Sequence, residues 1–271
     1  MSSLHMMVGN VGSGKSELAA HLVKKLKGVI VNMDAIQESM HGFYGGYNRE
    51  LKPVYRATED AIIIGALEQG VPVIIDRTNM NKKTRARFIN IAKKYTDSIH
   101  AYVLPVHEGP FASLIDNRMK KPRGLTSDKW TAIIQRLSRS YESPTEEEGI
   151  TDIYKSTGSI SHRFMAFDFD GTIVSNKFPE IGDPNESVIE YMQRFWHDSI
   201  WHRIISWTCR SGNYAAQAAE FLREQEIPYD FINENPIVDY GGRKVFANAY
   251  VNDRCVGINR DVDNIETLMQ I

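Results

Sequence analysis

Residues 8–16 read VGNVGSGKS. The apolar run His5–Val8 leads into this stretch, and Ser16–Lys27, with helical spacing, leads out of it. Every fixed position of G-x-x-x-x-G-K-[ST] is filled, by Gly9, Gly14, Lys15 and Ser16. Glycines 9, 12 and 14 free the backbone N–H groups, with that of Ser13, to turn inward around phosphate oxygens. The following helix N-terminus adds positive potential. Lys15 is expected on the β- and γ-phosphates, and Ser16 on Mg²⁺. The expected ligand is a nucleoside triphosphate, with ATP as phosphate donor.

Strand-like runs follow at Val29–Asn32, Val71–Ile75 and His100–Leu104, separated by helical segments Pro53–Gln69 and Lys82–Tyr95. Such alternation with short links predicts right-handed crossovers and a parallel sheet covered on both faces. The second strand ends in VNMD, so Asp34 is expected at the carboxyl edge of the sheet, where ligands bind. A carboxylate there can take the proton of an attacking hydroxyl; capping of a helix over Ala35–Met40 is a compatible role. Asp76 ends the third strand in DRTNMN and is a candidate to stand behind the metal or orient the acceptor. Helical segments Phe111–Met119 and Asp128–Tyr141 flank a basic loop, KKPRG. Arg118 and Arg123 lie there, with guanidinium forks suited to a transferring phosphoryl group.

A second alternation starts at Arg163, after the acidic stretch SPTEEEG (Ser143–Gly149). Strands are expected at Phe164–Phe167, Arg203–Trp207, Tyr229–Ile232 and Ala249–Val251. Helices are expected at Glu186–Trp196, Tyr214–Glu226 and Arg260–Met269. The first strand runs into Asp168-Phe-Asp170-Gly-Thr172. In extended chain, residues i and i+2 share a face, so both carboxylates can address one ligand. One can attack phosphorus while the other protonates the leaving oxygen, provided Mg²⁺ screens the repulsion between anions.

At 271 residues the chain has room for two domains, expected at 1–158 and 159–271. No apolar run approaches the length of a membrane span; Ala61–Ile64 is typical. The first residues lack a secretory pattern, and Cys209 and Cys255 lack metal-ligand spacing, so a reduced, cytoplasmic setting is expected. Residues 1–158 carry 22 Lys/Arg against 17 Asp/Glu, and residues 159–271 carry 10 against 17. The first half is thus mildly basic, which suits a polyanionic ligand without the strong footprint of a duplex binder.

The P-loop, Asp34, the D-x-T-N-x-N-x-x-x-R stretch from Asp76 to Arg85, and the Arg-bearing lid together resemble the kinase domain of phage polynucleotide kinase/phosphatases. Phage members carry an arginine shortly after the aspartate, where this chain has Gln37. The D-x-D-G-T motif resembles the haloacid dehalogenase-like phosphohydrolases, and later motifs follow in order. Thr208 matches the phosphate-binding hydroxyl and Arg210 a substrate-contacting arginine. Lys244, after Gly241-Gly-Arg, matches the expected lysine, and Asp253 the final acid. Asn252 stands where many relatives have another acid. The short segment between Thr172 and Glu186 implies a domain without a large cap.

The resemblance implies an α/β protein of two domains: a P-loop kinase with a helical lid, then a capless, Rossmann-like phosphatase. It implies phosphorylation of 5′-hydroxyl polynucleotide ends by ATP and Mg²⁺-dependent removal of 3′-phosphates. Catalytic roles fall to Lys15, Asp34, Arg118 and Arg123 in the first domain, and to Asp168, Asp170, Thr208, Arg210, Lys244 and Asp253 in the second. ATP is expected on Gly9, Gly12–Ser16 and Arg123, and Mg²⁺ on Ser16, Asp168, Asp170 and Asp253. RNA or DNA ends are the implied partners, in a host cytoplasm if the chain is phage-encoded. A ligase acting on healed ends and a second copy of the chain are further compatible partners. A nucleoside or small-alcohol kinase joined to a nucleotide phosphatase stays open, as does a non-catalytic second half.

Overall fold

The computed structural model describes residues 2–43, 45–104, 111–120, 122–155, 163–238 and 244–254. The chain divides into two compact units, Met1–Ile160 and Ser161–Ile271. Residue 158, the expected boundary, lies outside the described residues, as do Gly241–Arg243, Cys255 and the helix expected over Arg260–Met269.

The first unit runs β1 (Leu4–Val8), α1 (Lys15–Leu26), β2 (Val29–Val31), α2 (Met33–His41), α3 (Lys52–Glu68), β3 (Val73–Ile75), α4 (Lys82–Ala92), β4 (Ile99–Val103), α5 (Ala112–Met119), α6 (Ser127–Arg139) and β5 (Asp152–Lys155). Its sheet has the order β2-β3-β1-β4-β5 and is parallel throughout. The central strands are buried on both faces: Leu4, Met6, Val8, Val73 and Ile75 share one face, and His5, Met7 and Ile74 the other, as expected when helices cover both sides. Strand order reverses about β1, so the loop after β1 opens at the topological switch point, where open α/β sheets bind ligands.

Pro72 has no N–H to give the ladder, so β3 starts at Val73 rather than Val71. The fifth strand, DIYK, escapes sequence reading because it is an exposed edge without an apolar face. The acidic stretch before it is packed structure. Glu148, in a single 3-10 turn, takes a bidentate contact from the fully buried Arg85 at 2.8 and 2.7 Å. Arg85 also donates to the carbonyls of Asn79 and Glu142, which fixes the segment before β5 against α4.

The second unit runs β6 (Arg163–Asp168), α7 (Glu186–Asp198), β7 (His202–Trp207), α8 (Gly212–Glu224), β8 (Phe231–Ile232) and β9 (Ala249–Val251). Its order is β8-β7-β6-β9, again parallel, with Asp168 opposite Trp207. Here the switch falls at β6, the strand that delivers Asp168. The core joins Met165 and Phe167 of β6 to Met192, Phe195 and Trp196 of α7 and Leu222 of α8. Among the described residues, no helix is long and apolar enough to cross a membrane.

Candidate functional site

Each unit gathers its polar side chains at the carboxyl edge of its own sheet. In the first, the loop between β1 and α1 is shaped by Gly12 and Gly14, at φ 79 and 87. A Cβ on Gly12 would come within 2.3 Å of the Leu114 carbonyl oxygen, so any side chain there would drive the loop off α5. Asn10, fully buried, ties the loop to α6 through the Ile134 carbonyl (2.9 Å) and the Ser138 hydroxyl (2.8 Å). Gly9 N–H donates to the Thr78 carbonyl (3.0 Å), and the Asn79 amide to that of Met7 (2.8 Å). These bonds hold the P-loop against the DRTN segment.

Lys15 is buried and its ammonium folds back to donate to the Asn10 carbonyl. Burial lowers its pKa to about 8, with Asp76 opposing and Arg118 adding to the fall. The Arg118 guanidinium lies 4.0 Å from the Trp130 ring centroid. The Ser16 hydroxyl donates to Asp76 Oδ2 at 2.8 Å, and the Asn32 amide reaches the same oxygen at 2.8 Å. A serine hydroxyl beside a carboxylate is an oxygen set that fits Mg²⁺. Among the described residues the buried Ser13 hydroxyl finds no hydrogen-bond partner, as expected of a group facing a ligand.

Asp34 occupies the exposed first turn of α2 and is ion-paired with Arg123. The capping role considered for Asp34 belongs to Asn32, whose side chain accepts from Ala35 N–H at 3.1 Å. Asn32 thus does two jobs, capping α2 and fixing Asp76. Neither Asn32 nor Asn10 stands out in the sequence. An Asn two residues before Asp34, at a strand-to-helix junction, is the signal that was available for the first.

In the second unit Asp168 ends β6 and Asp170 follows in the turn. Arg210 grips Asp170 with two bonds, 2.8 and 2.6 Å, and donates to the Pro179 and Glu180 carbonyls at 2.9 and 2.7 Å. Thr208, at the end of β7, is locked to Asn233 by a reciprocal pair of 2.7 Å bonds, leaving its hydroxyl to accept from Arg210 N–H. Thr172 Oγ1 accepts from Asp253 N–H at 3.0 Å, which draws the end of β9 to the Asp168 turn. Gly171, at φ 93, leaves room for the Asp253 carboxylate, which a Cβ would approach to 2.4 Å.

Burial, then the charge of Asp253, then more weakly that of Asp170, raise the Asp168 pKa to about 6. Asp253 Oδ1 is buried without a hydrogen-bond partner among the described residues. Two repelling carboxylates, one with an unsatisfied oxygen, fit a divalent cation. Among the described residues, however, no three His, Cys, Asp or Glu side chains already stand grouped for a metal, and Asp170 is engaged by Arg210. The exposed Lys244 has its ammonium 4.3 Å from the Tyr250 ring centroid. Asn252 caps the turn by accepting from Arg254 N–H at 2.8 Å. Asn233, the partner of Thr208, lies outside every motif read from the sequence.

Residues 4–144 match the family model described as AAA domain. No curated protein sequence matches the chain. Among solved structures, the chain is similar to a conserved protein from Bacteroides thetaiotaomicron at 29% identity, covering 40% of this chain and 88% of that one, with a TM-score of 0.35. It is similar to a chain of a Pnkp1/Rnl/Hen1 RNA repair complex at 20% identity, covering 100% and 94%, with a TM-score of 0.40. A kinase-like protein of Chloroflexus aurantiacus, described as a putative kinase, is 16% identical, covering 58% and 89%, with a TM-score of 0.43.

Proposed function

The chain belongs to the AAA domain family, and from that premise we propose that it repairs nucleic-acid ends. In this reading the first unit transfers the γ-phosphoryl group of ATP to a 5′-hydroxyl end, and the second removes a 3′-phosphate. The observation that carries it is the Asp34–Arg123 pair, on the same sheet edge as the Lys15–Ser16–Asp76 cluster. Asp34 accepts the proton of the attacking hydroxyl, while Lys15, Arg118 and Arg123 offset charge on the transferring group. Ser16, backed by Asp76, is the side chain that would hold Mg²⁺.

In the second unit Asp168 attacks phosphorus; a bond forms to its carboxylate oxygen as the ester oxygen leaves. Asp170, positioned by Arg210, is the proposed general acid and base: one oxygen parts from the guanidinium to carry the proton given to the leaving oxygen, then takes one from the water that frees Asp168 and phosphate. Thr208 and Lys244 are the proposed phosphate holders. Asp168 and Asp253 are the side chains that would hold Mg²⁺, which when bound would screen the repulsion between carboxylate and phosphate ester; the Asp170 carboxylate expected with them is taken up by Arg210. The proposed domains are residues 1–158 and 159–271.

The test is transfer of label from γ-labelled ATP, with 5′-hydroxyl oligonucleotides, free nucleosides and small alcohols as acceptors. Label is expected on oligonucleotides. Label confined to nucleosides or small alcohols would overturn the reading.

A further inference from the structure

The surface just past the C-terminal end of α2 is apolar where solvent should favour polar groups. Met40, Phe43, Tyr47, Leu51 and Val54 are all exposed, Phe43 at 61% and Tyr47 at 53%. They cluster within fifteen residues, which single exposed apolar side chains on a soluble protein do not. The loop between α2 and α3, which carries Phe43, Tyr47 and Leu51, is anchored. The hydroxyl of the buried Tyr55 is hydrogen-bonded to His41 Nε2 at 2.6 Å and accepts Asn48 N–H at 3.1 Å. His41 packs at 6.4 Å from Phe43, and Tyr47 at 6.0 Å from Tyr55, by ring centroids. The two exposed rings are therefore held by contacts to anchored ones.

Exposed Arg49, Lys52 and Arg56 interleave with the apolar residues, against a single acid, Glu50, over residues 40–57. Lys52 and Arg56 are four apart on α3 and share a face. Basic side chains among exposed aromatic rings complement a flexible polyanion that carries flat apolar faces. The patch also continues the reacting centre. Asp34, Gln37 and His41 follow the i, i+3, i+7 stripe of α2, which leads from the carboxylate to the aromatic rim. A nine-residue helix is about 13 Å long, or about four nucleotides of a stacked strand at ~3.4 Å each.

We propose that Phe43 and Tyr47 form a subsite for unpaired bases downstream of the acceptor's 5′ end, so that acceptor length is read by stacking. This rests on the 5′-hydroxyl kinase reading above. Gln37 brings no positive charge to the phosphate next to the reacting end, and contacts farther along the strand supply the hold instead. The occupant is single-stranded nucleic acid; a second copy of this chain is the competing occupant.

The experiment measures kcat/KM for 5′-hydroxyl homo-oligomers of two, four, six and eight nucleotides, with the full chain and with F43A/Y47A. For the native chain, kcat/KM is expected to rise about ten-fold or more from dimer to hexamer, the scale of base–aromatic stacking. In the double variant the hexamer-to-dimer ratio should fall toward one, and F43W/Y47F should restore it. An equal loss at every length, or a native chain indifferent to length, would overturn the proposal. So would a native dimer in sedimentation that F43A/Y47A makes monomeric with the length ratio kept. Circular dichroism checks that the variants are folded. Label on nucleosides but on no oligonucleotide would instead mark failure of the kinase reading itself.

Discussion

Arg210 binds Asp170 through both oxygens of the carboxylate, while the same guanidinium holds the Pro179 and Glu180 carbonyls. One side chain thus orients the proposed general acid and fixes the loop beside it. Arg210 is almost wholly buried, and its head lies 5.3 Å from the Phe169 ring centroid and 5.2 Å from that of Phe178. Arg210→Lys cannot reproduce the fork. It should lower phosphatase kcat by about 10²–10³-fold, on the scale of one lost electrostatic contact to a reacting group. Arg210→Ala should also destabilise the second unit by about 3–5 kcal/mol, the usual result of removing one partner of a buried pair. Trp196, Trp201 and Trp207 report on that unit in a fluorescence-monitored melt, and kinase activity should stay unchanged.

Asp34→Asn keeps the shape of the carboxylate but not its basicity. Phosphoryl transfer should fall by about 10²–10⁴-fold with little change in ATP affinity. Arg123→Ala should instead raise the KM for ATP as well as lower kcat. Steady-state kinetics separate the two, and a matching ATP affinity loss in Asp34→Asn would argue against its role as base.

Asp253 raises the pKa of Asp168 through charge, and its own Oδ1 is unsatisfied among the described residues. Asp253→Asn should therefore raise the melting temperature of the metal-free protein. The same variant should lose most of the stabilisation that Mg²⁺ gives the native chain, since binding to the folded state alone stabilises it. Thermal melts with EDTA and with a Mg²⁺ series read both effects. Equal Mg²⁺ stabilisation of native and variant chains would remove Asp253 from the metal set.

Acid should weaken the first unit through His5, in β1 just before the P-loop. Its ring lies between Ser3 Oγ at 2.8 Å and Tyr102 Oη at 3.0 Å and is stacked on His100 at 4.7 Å. Burial, and secondarily the charge of His100, lower its pKa to about 3. The unfolded chain therefore takes up the proton first, near pH 6.5. The stability contributed is complete above that pH and is lost as pH falls toward 3, by roughly 5 kcal/mol at most. His5→Phe keeps the stack without the titrating nitrogen. Its unfolding midpoint should change less between pH 6.5 and 4 than that of the native chain.

Both switch-point strands were legible because their chemistry is local. VGNVGSGKS and DFDGT each place an apolar run directly before the functional turn. What was not legible depends on partners distant in sequence. Asn10 earns attention only through Ser138, and Asn233 only through Thr208. Asp34 looked like a cap because its neighbour Asn32 offers the same chemistry two residues earlier. Strand β5 lacked any apolar alternation, since an edge strand is specified by pairing to β4 rather than by burial. The aromatic rim at Phe43 and Tyr47 carried no motif; only the exposure of both rings brings it out.

The central claim is that one chain holds two independent phosphate sites acting on the two ends of a nucleic-acid break. The most direct measurement follows both ends of one oligonucleotide bearing a 5′-hydroxyl and a 3′-phosphate, incubated with ATP and Mg²⁺. The native chain should add the first phosphate and remove the second, Lys15→Ala should only remove, and Asp168→Asn should only add. Loss of both activities in either folded variant, or 3′-phosphate untouched by the native chain, would contradict it.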